Sequence, residues 1–127
     1  MEEWYAFRNL VYVAEYSDAK AFLDKHPELR DKRNSIGETV LHFLVVENNI
    51  EGVRWLAKNG FDPHVENEFG QSTLFEAASL EYFPMVDWLL ENGADLEHKD
   101  QNGDNIYAYL EDMEKSKSIE YLKQKNV

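Results

Sequence analysis

The sequence contains no cysteine, which excludes a thiol nucleophile, a thiolate metal site and a disulfide framework, and fits a reducing compartment. Bases are scarce: 13 lysines and arginines stand against 25 aspartates and glutamates in 127 residues, a formal net charge of -12. That sign repels phosphate, so neither nucleic acid nor an anionic membrane is an expected partner. No apolar run approaches the ~20 residues that span a bilayer, and the opening MEEWYAFRNL is acidic where a secretory leader is basic. A soluble, cytoplasmic protein is the expectation. Glycine-rich phosphate loops and the G-x-S-x-G nucleophile turn are missing, and with them the commonest signatures of enzymes. Hydrophobic residues at 43% and aromatics at 13% nevertheless suffice for one small domain with a real core.

What the sequence does have is a repeat with an offset of 33 residues. Asn34, Asn67 and Asp100 each stand three residues before Gly37, Gly70 and Gly103. In the same frame lie Val53, Val86 and Ile119, then Leu56, Leu89 and Leu122, then Gly60, Gly93 and Asn126. Asx-x-x-Gly is a turn, because the Asx side chain bonds the backbone that follows it and glycine accepts positive φ. Thr39, Ser72 and Asn105 follow each glycine by two and favour a helix start. Leu41, Leu44 and Val45, like Leu74, Ala77 and Ala78, then recur at helical spacing. Polar breaks at 47–49 and 81–82 end that helix, and Pro84 suits the first turn of a second one. Its buried stripe is Val53, Leu56 and Ala57, or Val86, Leu89 and Leu90, and Gly60, Gly93 and Asn126 end it as left-handed caps.

Each unit is therefore a turn, a helix, a short connection, a helix and an extended segment. Two such short helices cannot bury enough surface alone, whereas stacked units share a continuous core. Residues 1–33 keep the helix pair through Trp4, Phe7, Val11 and Ala14, then Ala19, Phe22 and Leu23. They lack the glycine turn and read as an amino-terminal cap, closed by Pro27. Residues 34–66 and 67–99 are two full repeats. Residues 100–127, rich in lysine and turning Ile106, Leu110, Ile119 and Leu122 inward, read as a carboxy-terminal cap, all within one domain over 1–127.

The texts G-E-T-V-L-H from Gly37, G-Q-S-T-L-F-E-A-A from Gly70, V-R-W-L-A-K-N-G-F-D from Val53 and V-D-W-L-L-E-N-G-A-D from Val86 resemble the ankyrin-repeat family. The resemblance implies an all-α solenoid of helix-turn-helix units with short β-hairpin loops. It also implies that His42 bonds backbone groups and that protein partners dock on hairpin tips and first helices. Carried over by position, that surface is Ser35, Ile36, Glu38, Val46 and Glu47 in the second repeat. The third gives Glu66, Glu68, Phe69, Gln71, Ser79 and Leu80, and the fourth Lys99, Gln101, Asn102, Asp104, Asp112 and Met113.

Charge makes this surface more specific. Residues 35–67 hold five acids and two bases and 68–100 hold eight and one, so these two segments carry -10 of the net -12. Solubility would be served equally by an even spread. Ile36 and Phe69 precede the turn glycines, where there is no core to fill; they either pack on each other or form the apolar centre of an interface ringed by carboxylates. The expectation is a non-enzymatic module, monomeric when free and without cofactor or catalytic residues, that binds a basic protein. Its partner-binding residues are Ile36, Glu38, Val46, Glu47, Glu66, Glu68, Phe69, Gln71, Leu80 and Asp104. An immunity protein or antitoxin occluding a basic toxin is one version, and a scaffold or adaptor is the alternative. A divalent-metal site at His64, Glu66, Glu97 and His98 is a third, opposed by the lack of H-x-x-x-H or H-E-x-x-H spacing.

Overall fold

The computed structural model describes residues 1–125 and is all-α. The expected cap at Asn126 lies outside the described residues. Among the described residues eight α-helices follow in chain order: α1 (Glu2–Tyr12), α2 (Tyr16–Lys25), α3 (Val40–Val46), α4 (Ile50–Lys58), α5 (Thr73–Ser79), α6 (Phe83–Glu91), α7 (Ile106–Asp112) and α8 (Ser116–Lys125). A 3-10 turn at Pro27–Arg30 follows α2. The chain divides into two compact units, Met1–Pro63 and His64–Val127.

In the first unit α1 packs on α2 and α3, and α3 on α4. Its core is aromatic: Phe7 stacks on Phe61 at 5.8 Å between ring centroids and meets Phe22 and Trp55 on its other sides. Trp4 is fully buried and donates its indole N–H to the Lys32 carbonyl at 3.1 Å, tying α1 to the chain that leads into the next repeat. Gly52 on α4 lies against α3: a Cβ there would meet Leu44 Cδ1 at 2.7 Å, so a larger residue would require the buried Leu44 side chain to shift.

In the second unit α5 packs on α6 and α7, and α7 on α8. Leu74, Phe75, Met85, Leu89, Ile106 and Leu122 are buried. The Ser118 hydroxyl donates to the Ala78 carbonyl at 2.6 Å, pinning α8 to α5 through a polar group that the core would otherwise penalise.

The turn expected at each Asx-x-x-Gly forms three times over. Asn34 Oδ1 accepts the N–H of Ile36 (3.1 Å) and Glu38 (2.9 Å); Asn67 Oδ1 accepts those of Phe69 (2.9 Å) and Gln71 (3.0 Å). Asp100 Oδ1 does the same for Asn102 (2.9 Å) and Asp104 (3.0 Å). Gly37, Gly70 and Gly103 sit at φ 82°, 76° and 79°, the region that glycine occupies without a Cβ clash. The hairpin loops are tight enough that no strand is formed among the described residues.

Thr39, Ser72 and Asn105 are all helix N-caps, by different means. Thr39 forms a reciprocal box with His42, whose Nδ1 accepts the Thr39 N–H at 2.9 Å. Asn105 accepts from the Ala108 N–H at 3.0 Å. Ser72 has the cap backbone but its hydroxyl makes no cap bond. One core expectation is corrected: Ala14 is exposed, because α1 ends at Tyr12 and Ala14 turns the chain at φ 62°. Asn48, Glu81 and Glu114 do the same after α3, α5 and α7 at φ 56°, 60° and 57°. Each of these turns is closed by the next residue's N–H reaching back five residues, as in Asn49 N–H to Leu44 O at 2.9 Å and Tyr82 N–H to Ala77 O at 3.0 Å.

Candidate protein-binding face

Each unit presents its own part of the expected surface. In the first, the turn bracket around Asn34 holds Ile36 outward at its tip, 66% exposed. The core therefore has no claim on it. Glu38 is half-buried, with Oε1 3.5 Å from Asn34 Nδ2, so it braces the turn. Val46 ends α3 half-buried, and Glu47, its C-cap, is exposed. Glu47 lines an open cleft of about 410 Å³ with Tyr12, Asn48, Asn49, Ile50 and Glu51.

In the second unit Phe69 takes the tip position and is 58% exposed, flanked by exposed Glu66 and Glu68. Leu80 and Met113, the C-cap residues of α5 and α7, are exposed too, at 42% and 46%. Gln71 and Asp104 are half-buried supports. Gln71 Oε1 accepts Asn67 Nδ2 at 3.1 Å, and Asp104 closes its turn through the Asp100 N–H to Asp104 O bond of 2.9 Å. Ser79 is corrected as well: it is buried and donates its hydroxyl to the Glu76 carbonyl at 2.9 Å.

The two hairpins of this unit are joined by Gln101, whose N–H donates to the Phe69 carbonyl (3.0 Å) and whose Nε2 donates to that of Glu68 (2.8 Å). Phe69 and its carboxylates therefore stand on a backbone fixed from behind, a condition for an interface that binds without first ordering itself.

The family model for ankyrin repeats (3 copies) matches residues 10–124. The chain belongs to the ankyrin-repeat family. An ankyrin repeat protein of Rickettsia felis is 33% identical over 87 residues, covering 67% of this chain and 28% of that protein. One from Acanthamoeba polyphaga mimivirus is 32% identical over 79 residues, covering 61% and 19%. An inactive serine/threonine-protein kinase of Bos taurus is 36% identical over 72 residues, covering 57% and 5%. The chain spans less than a third of the length of the curated relatives it matches. Ankyrin repeats are protein–protein interaction modules, usually without catalysis of their own.

The metal alternative finds no assembled ligand set. His64 Nε2–H donates to the Asn92 carbonyl at 2.7 Å and His98 Nε2–H to that of Gly70 at 2.8 Å, so both rings serve as ankyrin-loop struts. No group of three or more His, Asp or Glu side chains converges among the described residues. Nor is any described helix long and apolar enough to cross a membrane.

Sequence reasoning missed the aromatic side of the first unit. Arg8 lies over Phe43 at 4.6 Å and over Tyr5 at 5.1 Å, a cation–π arrangement. Tyr12 and Val13 at the end of α1 are 47% and 61% exposed. The signal was the spacing of Tyr5, Arg8 and Tyr12 on one helical face, hidden because Trp4, Phe7 and Val11 satisfy the buried stripe.

Proposed function

We propose that this ankyrin chain captures a basic protein, with Phe69, Leu80 and Met113 as the apolar centre and surrounding carboxylates as the selective rim. The observation that carries this is composition and exposure together: residues 64–114 contain thirteen acidic side chains and one base, Lys99, and the same segment leaves three large apolar groups in water. Burying them on a partner returns apolar surface to a dry contact, while the acids speed encounter and reject acidic competitors. Within the second unit Glu66, Glu68, Gln71 and Asp104 extend the footprint, and on the first unit Ile36, Glu38, Val46 and Glu47 offer a contact region of their own. The module needs no cofactor and performs no catalysis. An immunity or antitoxin protein would use the acidic charge to occlude a basic toxin, and a scaffold has the same surface; the identity of the captured partner separates them.

The test is comparative capture from the native source with the wild-type chain and a Glu66→Lys/Glu68→Lys variant, read by mass spectrometry at low and at physiological salt. Proteins bound by the wild type and lost by the variant are expected to be basic and to bind more slowly as salt rises. Capture that ignores both the charge reversal and the salt contradicts the reading.

A further inference from the structure

Three Asn-Gly pairs occur in the sequence, Asn59-Gly60, Asn92-Gly93 and Asn102-Gly103. We propose that Asn102 is a site of spontaneous deamidation, selected from the three by the structure.

The chemistry needs only water. The Gly103 peptide nitrogen, after losing its proton to base, attacks Cγ of Asn102; the N–Cγ bond forms, the Cγ–Nδ2 bond breaks and ammonia leaves. Water then opens the resulting five-membered imide at either carbonyl, giving aspartate or isoaspartate. A following glycine exposes the attacking nitrogen because it has no Cβ to shield it.

What separates the three pairs is anchoring. Asn59 donates Nδ2 to the Trp55 carbonyl at 2.8 Å, and its own carbonyl accepts Arg30 Nε at 2.7 Å. Asn92 donates to the Trp88 carbonyl at 2.8 Å, and its carbonyl accepts His64 Nε2 at 2.7 Å. Asn102 is exposed, and its amide side chain has no protein partner among the described residues; its only bond runs from its backbone N–H to Asp100 Oδ1. Space points the same way. A Cβ on Gly60 would meet Arg30 Nε at 2.7 Å and one on Gly93 would meet His64 Nε2 at 3.9 Å, whereas nothing lies within 4 Å of one on Gly103. The glycine N–H groups do not discriminate, since all three are bonded, at 3.2, 3.2 and 3.0 Å.

Asn102 occupies the tip position held by Ile36 and Phe69 in the preceding repeats. Deamidation adds a carboxylate there beside Asp104, and the isoaspartyl product lengthens the main chain inside the Asp100 turn. That this alters partner binding rests on the function proposed above; the chemistry does not, and it is tested without a partner.

The full chain is aged at mildly alkaline pH, folded and in parallel unfolded in urea, and mapped by tandem mass spectrometry with detection of isoaspartate. In the folded chain Asn102 should convert at least about tenfold faster than Asn59 or Asn92, which must first release two hydrogen bonds. In urea the three rates should converge, and Gly103→Ala should slow conversion at Asn102. Equal rates in the folded chain, or a ranking that persists unchanged in urea, would overturn the proposal.

Discussion

The turn glycines place different demands on the chain although the sequence writes them alike. Gly37 and Gly70 have φ of 82° and 76°, but a Cβ at Gly37 meets nothing within 4 Å while one at Gly70 meets the Gln101 backbone nitrogen at 3.1 Å. Gly37→Ala should therefore cost about 1 kcal/mol from conformation alone, and Gly70→Ala about 2–3 kcal/mol because the hairpin behind it must shift. Urea denaturation of both variants checks this, and equal midpoints would contradict it. The Asx-x-x-Gly brackets were legible because side-chain type, spacing and backbone need coincide. The reversals at Ala14, Glu81 and Glu114 were not: alanine and glutamate carry no mark of positive φ, which costs ~1 kcal/mol or more each. Gly52 was equally silent, since its reason is a leucine on another helix.

Among the elements, α8 is held by a mixture of apolar and polar contacts. Tyr121 stacks on Phe83 at 4.3 Å and donates its hydroxyl to both Asp87 carboxylate oxygens, at 2.7 and 2.8 Å. That bond to Asp87, with burial behind it, raises the Tyr121 hydroxyl above the ordinary 10.0. Burial is the first cause of the upward shifts of Tyr16, Tyr107 and Tyr109. A phenol whose folded value is raised contributes stability that is complete below its unfolded value and is lost as pH climbs through the folded one. Melting temperature should hence hold up to about pH 10 and fall beyond it. Tyr121→Phe keeps the ring stack, should cost ~1 kcal/mol at neutral pH, and should soften the alkaline decline; an unchanged alkaline limb would separate Tyr121 from it. The helix pairs themselves were readable from periodicity. The 3-10 turn at Pro27–Arg30 was not, because its role, placing Arg30 against the Asn59 carbonyl at 2.7 Å, appears only in three dimensions.

For the molecule as a whole, charge was the most legible property and its distribution sharpens on the structure. The unit from His64 onward holds fourteen acids and five bases, against eleven and eight before it, so the negative charge belongs chiefly to the second unit. The tip residues Ile36 and Phe69 were readable because a 33-residue repeat gives every column a structural job, and an apolar side chain without one stands out. Gln71 and Asp104, expected as contact residues, also brace their turns, a second role that was not legible because a half-buried polar group in a tight turn is spelled like an exposed one. The central claim is that Phe69 serves a partner and not the fold. Calorimetric titration of a partner captured by the wild-type chain, repeated with Phe69→Ser alongside a thermal melt, tests it most directly. The account predicts affinity weakened at least about tenfold, as for an interface centre, with the melting temperature essentially unchanged; a lowered melting temperature with intact affinity would contradict it.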